Sequence, residues 1–182
     1  MKELSLNILD ITENSVKAGA TLTEITIDES ETNLTIIIKD DGCGMSPEMV
    51  ESVTNPFCTT RTTRNVGLGI PLLILGAEQT GGFVEIKSKK ADENDSSHGT
   101  TVKAYYNKDH IDFTPLGDVI STVTTLIQGH PDTDFLFIHK KESGEVQLDT
   151  RELREVLVDV PLDSYEVLQW IEENLKEQYN EI

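Results

Sequence analysis

The sequence predicts an α/β protein, because segments with a helical pattern alternate with pairs of segments that have a strand pattern. Residues 2–19 contain no proline or glycine before Gly19, and this predicts a first helix that stops there. Two strands are predicted over residues 22–28 and 34–38. Residues 69–79 are again helical in character and precede two further predicted strands, 83–89 and 100–106.

The connections and the tail complete this prediction. Ser46 and Pro47 are typical of an N-cap and a first helical residue, so a short helix is expected after them. Residues 54–66 lack periodicity and are predicted to be a long loop, and loops of this length are often functional. A composition shift near residue 107 divides the chain into a domain (1–107) and a small α/β extension (108–182). In the extension, helices are predicted over 116–128, 151–158 and 164–179, and a strand over 135–139.

Composition excludes several classes of protein. The 182 residues include 15 basic and 33 acidic side chains, and the resulting net charge of −18 disfavours binding to a nucleic-acid backbone. No apolar run is long enough to span a membrane, and the start lacks a basic region followed by an apolar stretch. The two cysteines form neither a zinc motif nor a disulfide framework. We therefore expect a cytoplasmic protein that binds neither nucleic acid nor membrane.

The first predicted helix carries a polar stripe. At 100° per residue, its members fall within one arc of about 120°, and apolar residues occupy both flanks. The stripe consists of Asn7, Asp10, Glu13, Asn14 and Lys17. A solvated face would leave one apolar flank wet, which favours a stripe that faces a cleft. Such side chains can supply a general base, an oxygen ligand for a hard metal ion and a counter-charge for phosphate.

Three glycine-containing elements lie at junctions between predicted elements. They are Asp40-x-Gly42-x-Gly44, Gly67-Leu68-Gly69 and Gly99-Thr100-Thr101. Glycines allow a ligand to approach the backbone closely, and a glycine-rich helix start presents free N–H groups to an anion. Their spacing fits neither the Rossmann fingerprint nor the Walker loop.

Taken in order with two further elements, these motifs resemble the GHKL superfamily of gyrase, heat-shock chaperone, histidine kinase and MutL. The further elements are Glu13-Asn14-Ser15-x-x-Ala18-Gly19-Ala20-Thr21 and Asn55-Pro56-Phe57-x-Thr59-Thr60. The resemblance covers residues 1 to about 107. It implies an α+β two-layer sandwich, with a mixed, mostly antiparallel sheet covered on one face by helices and ATP held between the helices and a lid.

The resemblance also implies roles for individual residues. Asn14 matches the magnesium ligand, Glu13 the base that takes a proton from the attacking water, and Lys17 a phosphate-contacting lysine. Asp40 matches the aspartate that accepts a hydrogen bond from the adenine amino group. The remaining implied nucleotide-binding residues shape the base pocket, form the lid or cradle phosphate: Gly42, Gly44, Phe57, Thr59, Thr60, Arg61, Gly67, Leu68, Gly69 and Thr100. Arg61 and Arg64 have an equal alternative as solvated loop cations.

Physical chemistry agrees with the assignment of Asp40. The exocyclic amine of adenine is a donor, so a buried carboxylate accepts from it and discriminates against guanine, which has an acceptor there; such a mismatch costs about 1–3 kcal/mol. Triphosphate binding by an acidic chain needs local compensation, which Mg²⁺, Lys17, Arg61, Arg64 and the helix start after Gly67 can supply.

Three functions remain open. A slow magnesium-dependent ATPase would use Glu13 and regulate a protein partner. The alternative, a protein kinase of the anti-sigma or histidine-kinase catalytic-domain type, would pass phosphate to a separate protein, since no upstream helical region with a phosphoaccepting histidine precedes the helix of Asn14. A non-hydrolysing ATP sensor is the third. The whole chain also resembles small stand-alone ATP-binding proteins of anaerobic bacteria, some encoded beside hydrogenases, which implies a hydrogenase-associated partner.

Overall fold

The computed structural model describes residues 3–54, 69–92 and 97–182. In this part of the chain, the elements follow in the order α1 (Leu4–Lys17), β1 (Leu22–Glu29), β2 (Asn33–Asp40), α2 (Pro47–Thr54), α3 (Gly69–Gln79), β3 (Phe83–Lys89), β4 (Gly99–Asn107), α4 (Val119–Gly129), β5 (Asp134–Lys141), β6 (Gly144–Asp149), α5 (Thr150–Leu157) and α6 (Tyr165–Glu181). None of the described helices combines the length and apolarity needed to cross a membrane.

A six-stranded sheet, in the order β3-β4-β2-β1-β5-β6, carries the fold. Its neighbours pair antiparallel except β1 and β5, which are parallel. In β1 and β2, alternate residues are buried, so one face of the hairpin meets the helices; Ile25 and Ile27 of β1 lie opposite Ile38 and Ile36 of β2. The predicted fold class, a mixed and mostly antiparallel sheet with helices, is confirmed.

Helix α1 ends where the sequence predicts. The N–H of Ala18 still bonds the carbonyl of Asn14, and Gly19 then takes φ +77°, a left-handed conformation that ends helices readily. Leu4, Ile8 and Ile11 are buried in the core. The expectation that both apolar flanks are covered is wrong in part, because Leu6 is 44% exposed.

The tail continues the sheet. Strand β5 extends it beside β1, and β6 pairs with β5 as a hairpin. Helix α4 packs against α1 and α6, and its buried Val123, Leu126 and Ile127 belong to the same hydrophobic core as the residues of β1 and β2. Residues 108–182 therefore share one sheet and one core with the described residues that precede them. The division into two domains stays a prediction.

Two tail elements differ most from the sequence prediction. Helix α4 starts at Val119 instead of residue 116, because the Asp118 carboxylate caps it by accepting the N–H of Ser121 at 2.9 Å. Strand β6 is absent from the prediction. It is only six residues long, and its alternation rests on two buried residues, Val146 and Leu148, which is a weak signal.

A buried polar network lies at the end of β1, where Glu29 contacts His139 of β5 and Lys108. His139 is 1% exposed; its Nδ1 lies 2.7 Å from the Tyr179 hydroxyl and its Nε2 lies 3.0 Å from Glu29. Lys108 donates to the other Glu29 oxygen at 2.8 Å. Burial lowers the pKa of His139, and this outweighs the opposing effect of Glu29; the charge of Lys141 lowers it further. Burial raises the pKa of Glu29, but Lys108 and His139 outweigh it, so that pKa is lowered.

This network predicts loss of stability in mild acid. The unfolded chain takes up a proton at His139 near pH 6.5, whereas the folded chain resists it, so the free energy of unfolding should fall as pH drops below about 6.5. The lowered pKa of Glu29 acts in the same direction at more acidic pH. Urea unfolding at pH 7.5 and 5.5 should show this decline, and His139→Gln should reduce it. The matched control is His110→Gln, at an exposed histidine; equal pH dependence in the two variants would contradict the prediction.

Candidate functional site

A cavity of about 890 Å³ opens between α1, α2 and the ends of β2 and β4. Its volume lies within the range of ligand pockets, about 300–1,000 Å³. Apolar side chains form much of the wall: Ile11, Met45, Met49, Val53, Ile70 and Val102. The polar lining residues include Asn14, Ser15, Lys17, Asp40 and Thr100. The cavity thus combines an apolar wall with a few polar groups on α1 and at the strand ends.

Three donors hold the carboxylate of Asp40, the last residue of β2. Oδ1 accepts the N–H of Gly42 at 2.9 Å and the N–H of Thr100 at 3.2 Å, while Oδ2 accepts the Ser15 hydroxyl at 2.8 Å. A carboxylate has about four acceptor positions, so one remains for a donor in the cavity. Asp40 therefore presents a fixed acceptor at the wall.

Ser88 connects Thr100 to the loop after β2. Its hydroxyl lies 2.8 Å from the Thr100 hydroxyl and accepts the N–H of Met45 at 2.8 Å. It also donates to the carbonyl of Gly99 at 3.2 Å. No sequence motif identifies Ser88, because its partners come from a separate loop and strand. The contacts keep Thr100 and Met45 in place around the cavity.

The loop containing Gly42, Cys43 and Gly44 is held from two sides. The N–H of Cys43 donates to the carbonyl of Ala18 at the end of α1, and the carbonyl of Cys43 accepts the N–H of Ala91 after β3. Gly44 has φ +64°, and a Cβ on it would lie 1.9 Å from the carbonyl oxygen of Lys89. The second glycine of the Asp40 motif is therefore required by both conformation and space.

Asp41 follows Asp40 but serves the fold. Its carboxylate accepts the N–H groups of Thr21 at 2.7 Å and Leu22 at 2.9 Å, and it also accepts the Thr21 hydroxyl. Burial raises the pKa of Asp41, but these hydrogen bonds outweigh burial and the pKa is lowered. Asp41 thus fixes the start of β1, whereas Asp40 lines the cavity.

Only part of the polar stripe of α1 faces the cavity. Asn14 and Lys17 line the cavity, as predicted for a stripe facing a cleft. Asn7 is buried and Asp10 is exposed. Glu13 instead meets the tail: its Oε1 lies 2.7 Å from Nε2 of His130, and its Oε2 lies 3.9 Å from Nζ of Lys17. Sequence reasoning missed His130, which lies 117 positions further along the chain.

The other predicted site residues fall into two groups. Gly69 is buried and begins α3, close to α1. The predicted lid residues and the first two residues of the phosphate element lie outside the described residues, and their roles stay predictions: Phe57, Thr59, Thr60, Arg61, Arg64, Gly67 and Leu68. The structure therefore brings together Asn14, Lys17, Asp40, Gly44 and Thr100 around one cavity.

A metal ion at this site would need ligands from a bound phosphate in addition to those from the protein. In the stretches that the structure describes, no group of three or more His, Cys, Asp or Glu side chains could hold a metal ion. Asn14 lines the cavity with an amide. Mg²⁺ is commonly bound by one or two protein oxygens together with waters and substrate phosphates, so this donor set fits a magnesium ion that arrives with a phosphorylated ligand.

Comparisons with known proteins agree with the fold and the motifs. A family model described as histidine kinase-, DNA gyrase B- and HSP90-like ATPase matches residues 2–110. The sensor protein SrrB of Staphylococcus aureus is 31% identical over 94 residues, which is 49% of this chain but 16% of that protein. The chain thus spans about a sixth of the length of this relative.

Solved structures show the same fold over a longer part of the chain. The Aquifex aeolicus MutL ATPase domain complexed with ADP is similar over 87% of this chain and 70% of its own length, with 17% identity and a TM-score of 0.55. The N-terminal domain of a DNA repair protein is similar over 82% of this chain and 53% of its own, with 15% identity and a TM-score of 0.54. Both likenesses extend beyond residues 2–110 into the tail.

Proposed function

Since this chain belongs to the family of histidine kinase-, DNA gyrase B- and HSP90-like ATPases, we propose that it binds magnesium-ATP in the cavity, hydrolyses it slowly and regulates a protein partner through its nucleotide state. The observation that carries the proposal is the pairing of Asp40 with Asn14 and Lys17 around one cavity. Asp40 is a fixed hydrogen-bond acceptor, whereas Asn14 and Lys17 suit a metal-bound phosphate. The GHKL-type ATP-binding domain itself is shown by the family match.

Adenine recognition is assigned to Asp40. Two backbone N–H groups and the Ser15 hydroxyl fix its carboxylate, which leaves capacity for one more donor such as the adenine amino group. The apolar wall near Met45 and Val102 suits the faces of a purine ring. Thr100 supports this end through its N–H.

Phosphate binding is assigned to the α1 side of the cavity. Asn14 offers an amide ligand to Mg²⁺, and Lys17 offers a positive charge. Ile70, the second residue of α3, lines the cavity, so the free N–H groups at this helix start are proposed to contact phosphate. Magnesium, when bound, would neutralise part of the phosphate charge, which a chain of net charge −18 otherwise repels. Arg61, Gly67 and Leu68 belong to the proposal through their match to the family motifs.

Hydrolysis is assigned to Glu13. In this reaction, water attacks the γ-phosphorus, its proton passes to the Glu13 carboxylate, and the bond between the β- and γ-phosphates breaks to release ADP and phosphate. Glu13 stands beside Asn14 in the sequence, and its match to the family motif favours hydrolysis over ATP sensing alone. The second candidate is a protein kinase acting on a separate protein, which the likeness to a sensor protein favours.

Replacing Asp40 by asparagine should weaken ATP binding by about 10- to 100-fold. The amide oxygen can still accept from Gly42 and Thr100, but the amide nitrogen would then face the adenine amino group as a second donor. A buried, unpaired polar group costs about 1–3 kcal/mol. Calorimetric titration with magnesium-ATP measures the change. Asp41→Asn is the matched control, since Asp41 holds the start of β1; equal ATP affinity in Asp40→Asn and wild type would exclude Asp40 from adenine recognition.

The fate of the terminal phosphate separates the two candidate functions. Purified protein is incubated with ATP labelled at the γ-phosphate, first alone and then together with the other proteins of a cell extract. Free labelled phosphate in the absence of other proteins supports the ATPase. Label transferred to another protein, without free phosphate in its absence, supports the kinase and overturns the hydrolysis assignment. Binding without either product leaves an ATP sensor.

A further inference from the structure

The imidazole of His98 contacts the loop that follows β2. Its Nδ1 lies 2.6 Å from the carbonyl oxygen of Gly42, a buried residue. A carbonyl oxygen only accepts, so the Nδ1–H of His98 is the donor in this hydrogen bond. Gly42 lies between Asp40 and Gly44 in their common motif, and both of these residues line the cavity. The contact therefore holds the segment that forms one wall of the cavity.

The peptide groups on both sides of Gly42 are hydrogen-bonded. The N–H of Gly42 donates to Oδ1 of Asp40 at 2.9 Å, and the N–H of Cys43 donates to the carbonyl of Ala18 at 2.9 Å. The carbonyl of Gly42 and the N–H of Cys43 belong to one peptide group, so His98 holds one end of that group and Ala18 holds the other. A Cβ on Gly42 would lie 3.0 Å from Oδ1 of Asp40, which shows how closely the loop packs against this carboxylate.

The backbone that carries His98 is fixed beside Asp40. Strand β4 begins at Gly99, where φ is +128° and a Cβ would lie 2.0 Å from the carbonyl oxygen of Asp40. The next residue, Thr100, pairs with Asp40 across the two strands and donates its N–H to Oδ1 at 3.2 Å. The start of β4 thus supports the Asp40 carboxylate directly through Thr100 and indirectly through His98 and Gly42.

From this arrangement we propose that His98 is a positioning residue for nucleotide recognition: it keeps the N–H of Gly42 on Oδ1 of Asp40, and so directs the remaining acceptor of that carboxylate toward the adenine amino group. The proposal rests on the proposed function, because it acts through the adenine contact assigned to Asp40. Among the described residues, the cavity wall includes Asp40 but not His98. The torsion that turns a carboxylate is broad, so a carboxylate with fewer fixed donors presents its oxygens less precisely.

The test compares His98→Asn with His98→Leu. The two new side chains have the same branched shape, but only asparagine keeps an N–H close to the position of Nδ1. His98→Leu should weaken magnesium-ATP binding about five- to tenfold, the size expected for loss of one hydrogen bond, whereas His98→Asn should stay within about twofold of the wild type. Calorimetric titration measures both affinities. His110→Leu, at an exposed histidine, is the control and should bind as the wild type does.

Adenine selectivity separates positioning from a purely structural role. GTP presents an acceptor where ATP presents its amino group, so only ATP loses a contact when the Asp40 carboxylate is misplaced. The ratio of ATP affinity to GTP affinity should therefore fall in His98→Leu and recover in His98→Asn. An equal loss for both nucleotides in His98→Leu would overturn the proposal, as would equal affinity of the two variants for ATP.

A double variant shows whether His98 acts through Asp40. In an Asp40→Asn background, His98→Leu should weaken ATP binding no further, because the carboxylate that His98 positions is already gone. The same fractional loss in both backgrounds would overturn the proposal and leave ATP binding itself intact. Wild-type protein that binds no magnesium-ATP would overturn the proposed function, and the role of His98 with it. Thermal unfolding shows which variants are folded, and His98→Ala replaces His98→Leu in every comparison if leucine prevents folding.

Discussion

Replacing Glu13 by glutamine should reduce ATP turnover by about 10²- to 10⁴-fold while ATP affinity stays within about threefold. Glutamine has nearly the same shape but cannot take a proton from water, and general-base catalysis contributes about this factor. Its amide oxygen can still accept the hydrogen bond from His130, so the contact with the tail is kept. Turnover is measured as ADP and inorganic phosphate released under saturating magnesium-ATP, and affinity by calorimetry.

The control for this experiment is Glu78→Gln. It makes the same chemical change at an exposed position of α3 and should leave turnover unchanged. If Glu13→Gln hydrolyses ATP at the wild-type rate, Glu13 is not the base. A loss of affinity as large as the loss of turnover would instead assign Glu13 to binding.

Replacing Gly44 by alanine should destabilise the protein by about 3 kcal/mol or more. The new Cβ would lie 1.9 Å from the carbonyl oxygen of Lys89, so either the loop after β2 or the end of β3 must move. Forcing extra volume into a packed site costs about 1–3 kcal/mol, and the left-handed conformation adds about 1–2 kcal/mol for a residue with a Cβ. Urea unfolding followed by circular dichroism measures the change.

Gly19→Ala isolates the conformational part of this cost. Gly19 has φ +77°, similar to the +64° of Gly44, but a Cβ there would have no atom within 4 Å. We expect a loss of about 1–2 kcal/mol for Gly19→Ala, from the dihedral strain alone. Similar losses in the two variants would show that the contact with Lys89 does not restrict the loop. Magnesium-ATP binding should also weaken in Gly44→Ala, because Gly44 lines the cavity.

The local patterns of the sequence predict most elements of the fold. Helix α3 and strand β3 have the predicted bounds, because glycines mark the end of α3 and a regular alternation marks β3. Asn14 and Asp40 line one cavity, while the roles that the ordered motifs imply for them stay predictions. In contrast, β6 was not predicted, since a strand of six residues with two buried side chains carries only a weak pattern.

Contacts between distant segments could not be predicted. Ser88 and His130 belong to no motif, and each acquires its position from elements folded elsewhere in the chain. The sequence also gives no sign that Asp41 secures the start of β1, because two adjacent aspartates look equivalent until their hydrogen bonds are known. Periodicity determines which face of an element is buried, whereas it does not specify the partner across the fold.

The parallel pairing of β1 with β5 limits how the family-matched part can be isolated. A chain cut after residue 107 would lose β5 and turn β1 from an interior strand into an edge strand. Its row of backbone N–H and C=O groups would become open to strands of other molecules, and the apolar residues beneath α4 would be uncovered. Such a truncated protein invites intermolecular strand addition and aggregation, so the appended segment also protects the nucleotide-binding part from self-association.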